Sequence, residues 1–327
     1  MSGGGRGHTP VLLDAVMRWL RVQPDDVVVD ATIGLGGHSA ALGSRLGSGG
    51  TLIGLDRDPE ALRKAGTVLA GLACRVVIRQ ANFGECAAVL AETGIGRANV
   101  IFADLGVNSE QLDDPARGFS FQADGPLDMR LDPDAPMQAS DLVNRLSEKE
   151  LGDLIYDNAQ EPASRKIARR IHEARRSGRI MTTGHLARLV CEALGVDPSS
   201  RRSRIHPATR TFQALRIAVN DEMSALDRFL EAAPDLLHAG GRIGVISFHS
   251  GEDRRVKRDF LRRRGEGVYR IVTKKPVVAD ESERDANPRS RSAKLRVAVR
   301  EPAGEAWIAA GGAPEPDEGS DETGDES

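Results

Sequence analysis

Short apolar runs and helical periods alternate along the first hundred residues. Positions 27–30 read Val-Val-Val-Asp, 51–56 Thr-Leu-Ile-Gly-Leu-Asp, 75–78 Arg-Val-Val-Ile and 100–104 Val-Ile-Phe-Ala-Asp. Such runs are too short for helices and almost continuously apolar, the pattern of strands buried on both faces of a parallel sheet. Helical spacing follows the turn Gly34-Leu35-Gly36-Gly37, over about 38–46. It returns from Pro59, a favoured first-turn proline, through Ala61, Leu62, Ala65, Val68 and Leu69. A further helix is expected over 11–20. The alternation then stops. Residues 108–140 are rich in Asp, Pro and Gly, and helical periods follow at 139–146, 148–155, 163–175 and 184–194 without a strand among them. A helix over 208–237 leads to strands at 242–248 and 295–299. The pattern predicts an α/β domain made of 1–106 and 208–300, a helical insert over 107–207, and a tail, 301–327, of disordered composition.

Charge changes this picture. The 327 residues carry 45 Lys+Arg against 48 Asp+Glu, a net charge of -3. Nine of the acids and none of the bases lie in 301–327, so residues 1–300 sum to +6. The excess is concentrated in 165–216, with 13 bases and three acids, and in 242–300, with 17 bases and eight acids. Each run is either a solvated face or a surface for phosphate, and the two together on a basic body point to an anionic partner such as nucleic acid. No apolar run reaches the length of a membrane span, and the N-terminus lacks the apolar stretch of a signal peptide. Cys74, Cys86 and Cys191 follow neither a disulfide nor a zinc spacing and fit a reducing cytoplasm. No metal-ligand motif is present.

The turn at Gly34–Gly37 stands between a strand and a helix start, where glycines let a ligand approach the backbone. It reads either as a tight turn or as a nucleotide site. Asp56, 22 residues after Gly34 at the end of the second strand, is placed to accept ribose hydroxyls. The third glycine of a dinucleotide fingerprint is missing, and Asp30 beside the turn suits an ammonium group better than a pyrophosphate. Both features favour an S-adenosylmethionine site over a dinucleotide site.

Longer motifs extend from residue 8 to residue 296. They include His8-Thr-Pro-Val-Leu-Leu-Asp14, Asp30-Ala-Thr-Ile-Gly-Leu-Gly-Gly-His38-Ser39, Asp104-Leu-Gly-Val-Asn-Ser-Glu-Gln111 and Arg117-Gly-Phe-Ser-Phe121. They continue with Asp124-Gly-Pro-Leu-Asp128, His206-Pro-Ala-Thr-Arg210, Ser247-Phe-His-Ser-Gly-Glu-Asp-Arg254 and Asn287-Pro-Arg-Ser-Arg-Ser-Ala-Lys-Leu-Arg296. In this order they resemble the RsmH/MraW family of S-adenosylmethionine-dependent methyltransferases, which modify N4 of a cytosine in small-subunit ribosomal RNA. The resemblance implies a class I (Rossmann-like) methyltransferase sheet with an inserted all-helical domain. It also implies cofactor contacts at Gly36, Gly37, His38, Asp56, Phe83, Asp104 and Gln111, and 16S rRNA in the decoding region of the small ribosomal subunit as partner. The chain departs from the family pattern at Asn108 (usually serine), Gly251 (usually leucine) and Asn158-Ala-Gln-Glu161 (usually Tyr-Gly-Glu-Glu).

The chemistry implied needs little covalent help. An exocyclic amine has its lone pair delocalised into the ring, so the enzyme must align the nitrogen and polarise its protons. Asp104, with Asn108 and Ser109 beside it, is the expected catalytic group. His249 either faces the same pocket or is a strand-end histidine held by backbone. The Asp124–Asp128 stretch is either a cleft loop or a turn. Monomer and homodimer are both compatible with the sequence.

Overall fold

The structure, a computed structural model, describes residues 10–197 and 206–302. Its centre is a seven-stranded sheet in the order β3-β2-β1-β4-β5-β7-β6. The strands are β1 (Val27–Asp30), β2 (Thr51–Asp56), β3 (Arg75–Gln80), β4 (Ala98–Asp104), β5 (Leu237–Ser247), β6 (Tyr269–Ile271) and β7 (Lys294–Arg300). The first five run parallel, and β7 lies antiparallel between β5 and β6. This is the class I methyltransferase sheet that the resemblance implied.

The helices before the insert are α1 (Leu13–Leu20), α2 (Gly37–Gly43), α3 (Pro59–Leu69) and α4 (Cys86–Glu92). In α3, Pro59 opens the first turn and Asp58 accepts the Glu60 amide at 3.0 Å, a proline-plus-cap start readable from sequence. Alternate strand residues serve opposite faces. Val28, Leu52 and Phe102 join α1, α2 and α3 in one core. Val29, Ile53 and Ile101 join the other, with α4.

The connection from β4 to β5 carries α5 (Ser109–Asp113), α6 (Ala139–Arg145), α7 (Glu148–Ala159), α8 (Ser164–Ala174), α9 (Thr183–Leu194), α10 (Thr209–Val219) and α11 (Glu222–Leu236). A third core forms within it from residues such as Val143, Ile155, Ile167, Ile171, Leu186 and Val190. Ala208, Phe212 and Leu215 belong to this helical core, so α10 packs with the insert, although it follows residue 207. Phe229 and Leu230 of α11 return to the sheet.

The single helix expected over 208–237 is two helices. Asn220 ends α10, and Asp221 takes a left-handed backbone with φ 49°. Asn220 spends its side chain on distant backbone: its Nδ2 donates to Met129 O and its Oδ1 accepts from Leu131 N, both at 2.8 Å. Those bonds compete with helix continuation. After β5 come α12 (Ser250–Gly265) and α13 (Glu281–Ala286), where the sequence reading placed no helix. Helix α12 buries only Glu252, Val256 and Phe260, so its apolar period is hidden among charges.

Among the described residues, no helix is long and apolar enough to cross a membrane. All three cysteines are free and buried.

Candidate active site

The carboxyl ends of β1, β2 and β4 open onto a cleft of about 340 Å³. It lies where the strand order reverses at β1, the expected crevice of an open α/β sheet. Asp104, Asn108, Ser109, Gly37, His38, Asp56, Phe83 and Gln111 all line it. Gly36 sits behind the lining: its φ of +86° makes the turn, and an added Cβ would come within 3.3 Å of Ala65 in α3. At Gly37 a Cβ would stand 2.6 Å from Pro10 Cγ. The missing side chain therefore admits the N-terminal segment, whose Pro10 and Val11 wall the cleft. His8 and Thr9 lie outside the described residues, as do Arg201, Arg202, Arg204 and the acidic tail beyond Pro302.

Asp56 closes β2 with both oxygens in use, Oδ2 accepting from Gly34 N and Oδ1 from Asp58 N, each at 2.9 Å. Burial raises its carboxyl above the ordinary value. Phe83 is held edge-on against Phe229, ring centroids 5.9 Å apart. Asn108 and Gln111 cap α5 reciprocally at 3.0 Å. The asparagine thus performs the capping a serine would. Gln111 Nε2 then donates to Asp58 Oδ2 at 2.8 Å, and Arg117 Nη1 donates to the same oxygen at 2.6 Å.

Asp104 ends β4 with its amide donating to Thr32 Oγ1 at 2.6 Å. Its Oδ1 and Ser109 Oγ are buried without a hydrogen-bond partner, and both residues face the cleft. Burial, then the charges of Asp30 and Glu252, push the Asp104 carboxyl well above its usual range. His38 presents Nε2 to Val11 O at 2.9 Å and Nδ1 to Asp104 Oδ2 at 3.5 Å. Since a carbonyl only accepts, Nε2 carries the proton. His38 therefore meets the carboxyl through Nδ1.

Asp30 departs from expectation. It does not line the cleft and accepts instead from Ser39 Oγ at 2.6 Å and Thr32 N at 3.2 Å. Burial raises it to about 6. The Asp124–Asp128 stretch also turns away. Thr183 N donates to Gly125 O and Leu127 N to Met181 O, which ties it to the insert. His249 is the backbone-held alternative: its Nδ1 accepts from Gly251 N at 3.2 Å and Glu252 N at 3.4 Å, capping α12.

Sequence reasoning missed several cleft residues. Arg216 makes a two-pronged pair with Glu222, at 2.9 and 2.8 Å. Asn220 O accepts from Arg57 Nη1 at 2.6 Å. Glu252 is buried in the cleft wall. Burial pushes its carboxyl up, but His249 and then Arg216 hold it below its ordinary value. For Asn220 the Asn-Asp break in a helical period was an available signal, since such residues favour caps over helix interiors. The insert's charge also reads differently in three dimensions. Arg165, Arg169 and Arg210 face Asp153, Glu148 and Glu161, acids that precede the basic run.

An adenosyl cofactor fits this cleft. Asp56 stands at the end of the second strand, Phe83 offers a ring, and Asp104 and Ser109, each with an unpartnered polar atom, lie in the wall. Among the described residues no cluster of three or more His, Cys, Asp or Glu could hold a metal.

The sequence comparisons agree with this geometry. The profile of the MraW methylase family matches residues 5–301. A ribosomal RNA small subunit methyltransferase H from Acidobacterium capsulatum is 48% identical over 301 residues, covering 90% of this chain and 98% of that protein. One from a Synechococcus species is 52% identical over 297 residues, covering 90% and 97%. With motifs, cleft and relatives agreeing along nearly the whole described chain, the protein belongs to the MraW methylase family.

Proposed function

We propose that the chain transfers a methyl group from S-adenosylmethionine to the exocyclic N4 amine of a cytosine in the decoding region of 16S rRNA. The small ribosomal subunit is then its partner and the cytoplasm its site of action. The observation that carries this reading is the unpartnered Oδ1 of Asp104 in the cleft wall. When bound, the cofactor supplies an electrophilic methyl group. Gly37, His38, Asp56, Phe83 and Gln111 would hold it. Asp104, whose carboxyl lines the cleft and is partly exposed there, accepts a hydrogen bond from the amine, and its raised basicity suits it to take the proton that the methylated nitrogen releases. His38 Nδ1, 3.5 Å from Oδ2, fixes the orientation of that carboxyl. Asn108 and Ser109 sit on the α5 turn beside it, in the cleft wall. The base must be unpaired or flipped to reach this depth. The helical insert, over 107–207 and packed with α10, is the proposed RNA-recognition domain.

The test is methyl transfer from labelled cofactor to small ribosomal subunits, followed by nucleoside mapping. N4-methylated cytidine is the expected product, and any other methylated nucleoside overturns the reading.

A further inference from the structure

Beside the cofactor cleft lies a second hollow, of about 450 Å³. Its walls are the C-terminal end of α7, one face of α10 and the first turns of α12. The two spaces share one wall: Phe248 and Glu252 line the cofactor cleft, while His249, Ser250 and Gly251 line the hollow. Arg254 and Arg258 line it one helical turn apart, on the side of α12 opposite its buried residues. Among the described residues neither has an ion pair or hydrogen bond. Both stay exposed, whereas nearby Arg255 is taken by Asp227 at 3.1 Å. The amides of Asn158 and Gln213 complete a polar lining in which Asp157 is the one acid. Two unneutralised guanidinium groups in a concave, amide-lined hollow are a site for an oxyanion, and arginine's planar fork suits phosphate oxygens.

We propose that this hollow binds a phosphodiester of the RNA strand next to the base that enters the cofactor cleft, with Arg254 and Arg258 as its ligands. The inference rests on the rRNA reading above and assigns part of that recognition to the sheet domain's α12. The shared wall sets the geometry: one nucleotide's base lies on its cofactor side and the adjoining backbone on the other. Such a contact positions the strand without reading sequence.

The experiment compares the full chain with two double variants. Arg254→Ala/Arg258→Ala removes the proposed ligands. Arg45→Ala/Arg75→Ala removes the same charge from exposed positions at the opposite edge of the sheet. Binding of an rRNA fragment carrying the substrate cytosine, and of a scrambled RNA, is measured across salt concentrations. Cofactor affinity is measured by calorimetry. The α12 variant should lose about tenfold for both RNAs, and its log affinity against log salt should flatten by about 2. Its cofactor affinity and that of the control should hold. An α12 variant that matches the control in RNA affinity and salt slope overturns the site and leaves rRNA methylation standing. Inorganic phosphate or pyrophosphate binding that depends on the two arginines, without an RNA effect, overturns it in favour of a free anion. A wild-type chain that binds neither RNA defeats this inference and the rRNA reading together.

Discussion

His38 Nδ1 faces Asp104 Oδ2 at 3.5 Å while Nε2 is committed to the Val11 carbonyl. The carboxyl is thereby backed by an imidazole edge at Oδ2, while Oδ1 is buried without a hydrogen-bond partner. If Asp104 takes the amine proton, turnover at saturating substrates should fall on the acid side, with a midpoint above the ordinary carboxylate range because burial raises this group. Asp104→Asn should lower kcat by about 10² or more, a larger change than in cofactor affinity. A pH–rate profile whose acid limb lies at ordinary carboxylate values removes Asp104 from the role.

Asp30 makes stability depend on pH. Its folded value of about 6 exceeds the usual 3.8, so between those values the native state binds more protons than the unfolded state. Unfolding free energy therefore falls as pH rises through this window, by about 3 kcal/mol in total from this group. Asp30→Asn removes that penalty, so its stability relative to wild type should improve from pH 4 to pH 7 (about the width of the window). Denaturant unfolding at both ends measures the gap, and a gap independent of pH contradicts the assignment.

Asn220 ties the α10–α11 break to the segment at Met129–Leu131 through both ends of its amide. Asn220→Ala leaves those buried backbone groups unpaired and should cost about 3 kcal/mol in urea unfolding. A loss below about 1 kcal/mol means water replaces the amide.

Gly37 is the contact point of the N-terminal segment. Gly37→Ala drives Cβ to 2.6 Å from Pro10 Cγ and should displace Pro10 and Val11 from the cleft wall. Overpacking of this kind costs about 1–3 kcal/mol, and cofactor affinity should fall with it. Calorimetric titration checks the second effect, and unchanged affinity shows that Pro10 covers nothing the cofactor uses.

The sheet was legible because its inner strands are unbroken apolar runs: Val27–Asp30 and Thr51–Asp56 are found at the expected limits. β6 was not, since a three-residue edge strand has no period to read. The carboxylates at strand ends and the Gly-rich turn were visible because chain geometry alone places them at the crevice. Which way each side chain turns was not visible. Asp30 chose Ser39 over the cleft, and Arg216 met Glu222 through a helix break that pattern alone ran straight through. Charge counting misled in the same manner. The acids that answer Arg165 and Arg169 lie earlier in the chain, whereas Arg254 and Arg258 stand unanswered in a stretch that also holds many acids.

Helix α10 packs along the helical core while its C-terminal turns also reach the cofactor cleft. Phe212 is anchored in the helical core, while Arg216 and the following Asn220 stand in the cofactor cleft. Its 11 residues span about 16 Å as a single stiff rod. The helical lobe cannot tilt against the sheet without carrying this rod, and the rod cannot move without disturbing the cleft at its other end. Such a linkage works in both directions: RNA that tightens the grip on cofactor is itself gripped more tightly, by the same factor, once cofactor is in place.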